Sequence, residues 1–127
     1  MALVRHDRVK EATFVEGSVN DIDLLGSGTG FKRFQDVAQD GDTFDYAITH
    51  TGTAEWETGR GTYDSANNKI VRTTIIASSE EDSTQSDAPT NFSAGTKQVF
   101  ITVNSASLEL YDATAEDLAA LALALGG

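Results

Sequence analysis

Hydrophobic and polar residues alternate along much of this chain with the two-residue period of a β-strand. Residues 42–50 (DTFDYAITH) show the alternation most cleanly, with Phe44, Tyr46 and Ile48 on one face. We expect that face to enter a core and Asp45, on the other face, to contact solvent. The other segments with this pattern are residues 1–15, 18–25 and 97–104.

The longest extended stretch is residues 55–79, which we expect to form a hairpin of two long strands. Its second half, residues 69–77, is rich in β-branched side chains, which lose less freedom on a pleated surface than in a helix. The polar run between the two halves, residues 64–68 (DSANN), carries short side chains that hydrogen-bond their own backbone, as turns require.

A Gly-Arg-Gly run, residues 59–61, interrupts the first of these strands and predicts a β-bulge. A bulge there would shift the register, so that Trp56 and Tyr63 share the core face. Without it, the two side chains lie on opposite faces. Core packing of Trp56 is the favoured interpretation, and exposure as a stacking platform is the alternative.

Two stretches follow the helical period instead. Phe31, Phe34, Val37 and Ala38 recur at helical spacing and predict a short helical turn that closes one end of the sheet. Near the C-terminus, Thr114 can cap a second helix. The leucines of that helix are Leu118, Leu121, Leu123 and Leu125. So short a helix is marginal alone in water, and its terminal position favours docking on another subunit over packing within the chain.

These patterns together predict a mainly β fold, a small antiparallel β-sandwich or barrel with a short helical turn and a C-terminal helix. We expect an N-terminal arm over residues 1–8, a β domain over residues 9–105 and a C-terminal arm over residues 106–127. A chain of 127 residues and 13.5 kDa has the size of one domain. It contains no cysteine, so its core must form without disulfides.

The formal charge of −11 limits the expected partners, because it argues against binding to nucleic acid or to an anionic membrane. No apolar run has the length of a signal peptide or a membrane span, so the cytoplasm of the producing cell is the expected default location. Three of the nine basic residues, Arg5, Arg8 and Lys10, lie near the N-terminus. They predict either a solvated edge strand or an arm that contacts an acidic neighbouring subunit.

Patterns that would indicate an active site are weak. His6 and His50 do not have the spacing of metal ligands. The glycine-rich residues 26–30 lack the Gly-Lys-Ser/Thr sequence of a phosphate-binding loop. Glu55 and Glu57 match the carboxylate pair of a glycosidase only weakly, and surface charge is the simpler interpretation. We therefore expect no catalytic residue, no cofactor and no metal ion.

Six separated segments of the chain carry a resemblance to a known module. They are VKEAT (9–13), GFKRF (30–34), GDT with YAI (41–48), EWETGRGTY (55–63), RTT to ASS (72–79) and NFSAGTK with VF (91–100). In this order they resemble a small β module of tailed-bacteriophage virion structural proteins, often found near the start of tail-fibre proteins. The resemblance covers residues 9–104 and implies a non-enzymatic virion component made in the host bacterial cytoplasm.

The chain departs from fibre proteins because it ends in the predicted leucine helix and not in a shaft with a receptor-binding tip. The preferred hypothesis is a capsid cement or decoration protein, docked as a homotrimer on the major capsid protein or other virion subunits. The basic arm and the leucines are its predicted contacts. A tail-fibre base or head–tail adaptor is the first alternative. The second is a carbohydrate-binding module that uses Trp56, Tyr63 or Tyr111 as exposed stacking platforms.

Overall fold

One antiparallel β-sheet dominates the computed structural model of the chain, which describes residues 3–80 and 88–103. Six strands lie within these residues: β1 (Lys10–Thr13), β2 (Asp21–Asp23), β3 (Thr43–His50), β4 (Trp56–Asp64), β5 (Lys69–Ser78) and β6 (Lys97–Ile101). They lie in the order β1-β6-β3-β4-β5-β2. The predicted mainly β fold is therefore confirmed.

The two edge strands of the sheet approach each other. Ala12 of β1 donates a backbone hydrogen bond of 3.0 Å to Gly26, just beyond β2, and accepts one of 3.0 Å from Leu25. We call this junction the seam, defined by Ala12, Leu25 and Gly26. Because the seam joins the edges, the sheet is a nearly closed, barrel-like structure and not two packed sheets.

The core contains the side chains that the alternation predicts. Phe44, Tyr46 and Ile48 of β3 are all fully buried. The predicted helical turn is also present as a 3₁₀ turn, Phe34–Asp36, and Phe34 is fully buried. Its ring meets the Phe44 ring edge-on with 4.9 Å between centroids. Aromatic pairs favour this geometry, and it secures the turn against one end of the barrel.

The expectation that Asp45 contacts solvent is wrong. Asp45 lies on the outer face of β3, but its side chain is only 2% exposed. The Arg60 guanidinium on the neighbouring strand covers it, with Nε 2.8 Å from Oδ1 and Nη2 3.2 Å from Oδ2. This two-point contact holds the pKa of Arg60 above its ordinary value. Polarity alone cannot distinguish such a covered carboxylate from a solvated one.

The strand irregularity between β4 and β5 lies on the opposite strand from the predicted one. The register shifts beside Gly59 and Gly61, but the extra residues, Thr73 and Ile76, belong to β5. The alternation of β4 therefore continues unbroken, and Trp56 lies on the outer face, 39% exposed. Core packing of Trp56 was the wrong interpretation, because a bulge on β5 does not change the face of any β4 residue.

The hairpin turn between β4 and β5 is confirmed. Asp64 Oδ1 accepts hydrogen bonds from the backbone N–H groups of Ala66 (3.1 Å) and Asn67 (3.4 Å), and Asn68 has a positive φ of 49°. At the other end of the chain, Val4 donates a backbone hydrogen bond of 2.8 Å to Thr43. The predicted C-terminal helix lies outside the described residues, and its existence stays a prediction.

Candidate functional site

Two of the three arm cations stack on one aromatic ring. The Arg8 guanidinium lies 4.1 Å from the centroid of the Phe31 ring, and Lys10 Nζ lies 4.7 Å from it. Arg8 Nε also donates a hydrogen bond of 3.1 Å to the carbonyl oxygen of Gly30. Cation–π contacts of this kind restrict the positions of otherwise flexible side chains. Two positive charges are thus held in place before any partner binds.

The same ring borders a shallow groove of about 270 Å³. Apart from the buried Val9, five residues line it: Arg8, Lys10 and Phe31, with Phe100 and Ile101 of β6. We call these five residues the basic groove. Positive charge beside accessible apolar side chains suits a protein partner with an acidic, amphipathic surface. The groove is the best-defined candidate interaction surface that includes residues named from the sequence.

The remaining predicted interaction residues lie elsewhere. Arg5 does not reach the basic groove: its Nη2 atom lies 4.0 Å from Oδ2 of Asp45, and its side chain is 52% exposed. A pair at this distance and exposure contributes little to stability. The other predicted contacts, Leu118, Leu121, Leu123 and Leu125, lie outside the described residues, so their docking role stays a prediction.

A second polar cluster lies inside the barrel, around Glu57 of β4. The Glu57 carboxylate is fully buried and accepts hydrogen bonds from Tyr46 Oη (2.6 Å), Arg72 Nε (2.9 Å) and the backbone N–H of Thr90 (2.9 Å). Burial, together with the charge of Glu57, raises the pKa of Tyr46 well above its ordinary value. The arrangement holds three strands and the segment before β6 together.

The glycines of β4 make room for this cluster. A Cβ atom at Gly59 would lie 2.5 Å from the Thr74 carbonyl oxygen and 2.8 Å from Tyr46 Oη. A Cβ atom at Gly61 would overlap the Cγ2 atom of Ile70. The Gly-Arg-Gly sequence is therefore required by close packing inside the barrel. The sequence correctly marked these residues as special, although it predicted the wrong consequence.

The carboxylates of Glu55 and Glu57 have different surroundings. Glu55 accepts hydrogen bonds from the backbone N–H (2.9 Å) and the hydroxyl (2.6 Å) of Ser93, which lower its pKa. Glu57, in contrast, is interior, so the expectation of surface charge is wrong for Glu57. Glu57 lies two residues before Gly59 and therefore on the same face of β4, which is the buried face. That spacing is the sequence feature that could have predicted the burial of Glu57.

Glu11 of β1 is another buried carboxylate. It accepts hydrogen bonds from the backbone N–H groups of Phe34 (2.8 Å) and Gly26 (3.0 Å). Burial is the largest influence on its pKa and raises it, while the two hydrogen bonds oppose that rise. Glu11 thereby connects β1 to the glycine-rich turn and to the 3₁₀ turn. A carboxylate already placed at these N–H groups disfavours a bound phosphate there.

Lys97 is the least compensated charge in the barrel. Its side chain is fully buried, and Nζ has no hydrogen-bond partner among the described residues. Burial lowers the pKa of Lys97, and the carboxylates of Glu16 and Glu55 oppose this effect. Lys97 lies two residues before the buried Val99 in β6 and so shares its face, a signal for burial that the sequence contains but that the prediction missed.

The two histidines have separate surroundings. His50 Nδ1 accepts a hydrogen bond of 2.9 Å from the backbone N–H of Gly52, and Nε2 lies 3.0 Å from the carbonyl oxygen of Ala94. His6 lines a separate surface groove with Asp7. Within residues 3–80 and 88–103, no group of three or more His, Cys, Asp or Glu side chains could hold a metal ion.

Of the three aromatic residues considered as sugar platforms, the structure exposes Trp56. Tyr63 is only 3% exposed, and its hydroxyl donates a hydrogen bond of 2.8 Å to Asn68 Oδ1. Tyr111 lies outside the described residues. The Trp56 backbone carbonyl accepts a hydrogen bond of 2.6 Å from the Thr90 hydroxyl, which anchors this position while the ring stays on the outer face.

Comparisons with other proteins do not add a family to this geometry. No family model, no curated protein sequence and no solved structure matches the chain. In the part of the chain that the structure describes, no helix is long and apolar enough to cross a membrane.

Proposed function

We propose that this chain is a non-enzymatic structural protein of a bacteriophage virion. In this role it decorates the outer surface of the capsid, binds the major capsid protein or other virion subunits, and stabilises the shell. The homotrimer stays an expectation of the resemblance alone, because no contact among the described residues supports it. Two features of the molecule support the proposal, one in its interior and one on its surface.

The interior support comes from where the segments with a phage resemblance lie. They contribute the buried residues that connect the strands: Glu11, Phe34, Tyr46, Glu57, Arg72 and Lys97. These residues build the barrel and its end. A module whose resembling segments supply a rigid scaffold fits the role of a structural subunit.

The surface support, which carries the proposal, is the basic groove. Arg8 and Lys10 are held on Phe31 in a groove that apolar side chains also line, although the chain as a whole has a formal charge of −11. A local positive surface on an acidic protein gives orientation to an encounter with an acidic partner. A cement protein needs such an oriented contact, because it must attach repeatedly in one geometry.

Rebinding to capsids tests this proposal. Phage particles grown without the chain are mixed with purified protein, and the bound fraction is measured after sedimentation. Arg8→Glu should reduce binding about tenfold or more, since it replaces the ordered cation with a repelling charge. Lys32→Glu makes the same charge change at an exposed residue that does not line the basic groove, and it should bind like the wild type. Equal binding of wild type and Arg8→Glu would contradict the proposal.

The exposure of Trp56 favours one second candidate, a carbohydrate-binding module. An exposed indole on a rigid strand can stack on a sugar ring. Trp56→Ala should then abolish glycan binding in an array or a titration. Val103→Ala, which removes another exposed apolar side chain, serves as the control and should leave glycan binding unchanged. Absence of any glycan binding by the wild type would eliminate this candidate.

A further inference from the structure

An apolar patch is exposed beside the seam. Phe14, Val19 and Leu25 are 62%, 54% and 52% exposed, and all three line one shallow groove of about 320 Å³. They are three of the five large hydrophobic side chains that are exposed among the described residues. Isolated exposed hydrophobic residues are common on protein surfaces, but a cluster in one groove indicates a contact surface.

Charges of opposite sign line two neighbouring grooves that share Leu25. The apolar groove is also lined by Glu16, Asp23 and Asp21, and Asp21 is already paired with Lys69 at 2.7 Å. The second groove, of about 450 Å³, is lined by Lys10 and Arg33. Leu25 lines both grooves and therefore lies between the acidic end and the basic end of the combined surface. Glu11, which also borders the second groove, is occupied by its two backbone hydrogen bonds.

We propose that this surface binds a second copy of the same chain through a two-fold axis near Leu25. A two-fold interface uses the same patch on both copies, so each patch must complement itself. Rotation about Leu25 brings the two Leu25 side chains together and places the acidic end of each copy, with Phe14 and Val19, against the basic end of the other. Arg33 of one copy then meets Asp23 and Glu16 of the second copy, and this contact occurs twice.

The arrangement of charge favours a self-paired dimer over two other occupants. A strongly basic partner would be repelled by Lys10 and Arg33, and a strongly acidic partner by Glu16 and Asp23. A closed ring of three copies requires two separate faces on each copy, whereas the acidic and the basic ends adjoin at Leu25 here.

Sedimentation equilibrium of the full chain tests this pairing, which does not depend on a virion role. We expect a dimer at concentrations of about 10–100 μM. Arg33→Glu and Asp23→Arg should each weaken the dimer about tenfold or more, because each places like charges together at two symmetric positions. The double variant should recover dimerisation, since it exchanges the two signs. Asp7→Arg, an equal charge change at an exposed residue that lines another groove, is the control.

The apolar patch has its own test. Phe14→Ala should weaken dimerisation about tenfold or more, because an apolar ring of the contact is lost from both copies. Val103→Ala removes an equally exposed hydrophobic side chain outside the patch and should leave the dimer intact. A monomer at every concentration, a trimer, or a dimer insensitive to Arg33→Glu, Asp23→Arg and Phe14→Ala would each overturn the proposal.

Discussion

Replacing Glu57 with glutamine is the most informative single perturbation of the barrel. The change keeps the size of the side chain but removes its negative charge. Arg72, whose side chain is only 3% exposed, would then lose the carboxylate that its Nε contacts at 2.9 Å. At present one carboxylate oxygen accepts hydrogen bonds from Tyr46 and Arg72, and the other accepts one from Thr90. In glutamine an NH₂ group replaces one of these oxygens, so that N–H atoms would face either Tyr46 and Arg72 or Thr90.

The expected cost follows from these contacts. Removing one partner of a buried ion pair leaves an uncompensated charge and costs about 3–5 kcal/mol. A domain of this size has a total stability of about 5–15 kcal/mol, so Glu57→Gln should remove a large part of it. The corresponding fall in the melting temperature is roughly 10–20 °C. Arg72→Met removes the other charge, and the double variant should lose less stability than the sum of the two single variants.

Urea unfolding followed by far-ultraviolet circular dichroism measures these free energies. Asp7→Asn removes the same charge from an exposed side chain and should change the free energy of unfolding by no more than about 0.5 kcal/mol. A loss below about 1 kcal/mol for Glu57→Gln would refute the reasoning, as would strict additivity in the double variant. Either result would mean that the buried pair does not hold the strands together.

Two further changes test the other interior features. Lys97→Met should raise the free energy of unfolding at pH 7 by about 1–3 kcal/mol, because it removes a buried ammonium group that has no hydrogen-bond partner within residues 3–80 and 88–103. Folding lowers the pKa of Lys97, so between that pKa and 10.5 the unfolded state binds more protons than the folded state. The wild type therefore becomes more stable as the pH rises through this range, and the difference in unfolding free energy between the wild type and Lys97→Met should become smaller. A pH-independent gap in urea titrations would contradict this assignment. Gly59→Ala should cost about 2–3 kcal/mol, because the new Cβ atom would meet the Thr74 carbonyl at 2.5 Å. Gly28→Ala is the control, because a Cβ atom at Gly28 would have no neighbour within 4 Å, and it should leave the melting temperature nearly unchanged. Equal melting temperatures for Gly59→Ala and Gly28→Ala would argue against close packing at Gly59.

The alternation of residue types predicted the strands and much of the core. Phe44, Tyr46 and Ile48 are inside because a strand with one buried face must separate its apolar and polar side chains. Phe34 followed from helical spacing in the same way. These predictions need only local sequence, since the period of a strand or a turn is a local property.

The charged residues of the barrel were harder to predict. Asp45 is buried because the Arg60 guanidinium on the next strand covers it. Glu57 is buried because it lies inside the barrel, where it pairs with Arg72. Such contacts depend on strand order and register, which the alternation within a single strand does not specify. Trp56 was misplaced for a related reason, since the bulge that would have turned it inward lies on β5.

The candidate surface was predicted in part. Arg8 and Lys10 were predicted from the sequence, but their common contact with Phe31 was not. The segments of Arg8 and Phe31 are brought together by a long-range backbone hydrogen bond of 2.7 Å, which the Lys32 N–H donates to the Arg8 carbonyl oxygen. The apolar patch at Phe14, Val19 and Leu25 was not predicted, because the three residues come together only where the sheet nearly closes. Long-range closure of this kind leaves no signature within a short window of sequence.

Locating the chain in separated phage heads and tails tests the proposed function most directly. Quantitative mass spectrometry of the two fractions gives the number of copies in each. A capsid decoration protein predicts many copies in a fixed ratio to the major capsid protein, all of them in the head fraction. A few copies confined to tails, or no copies in either fraction, would contradict it.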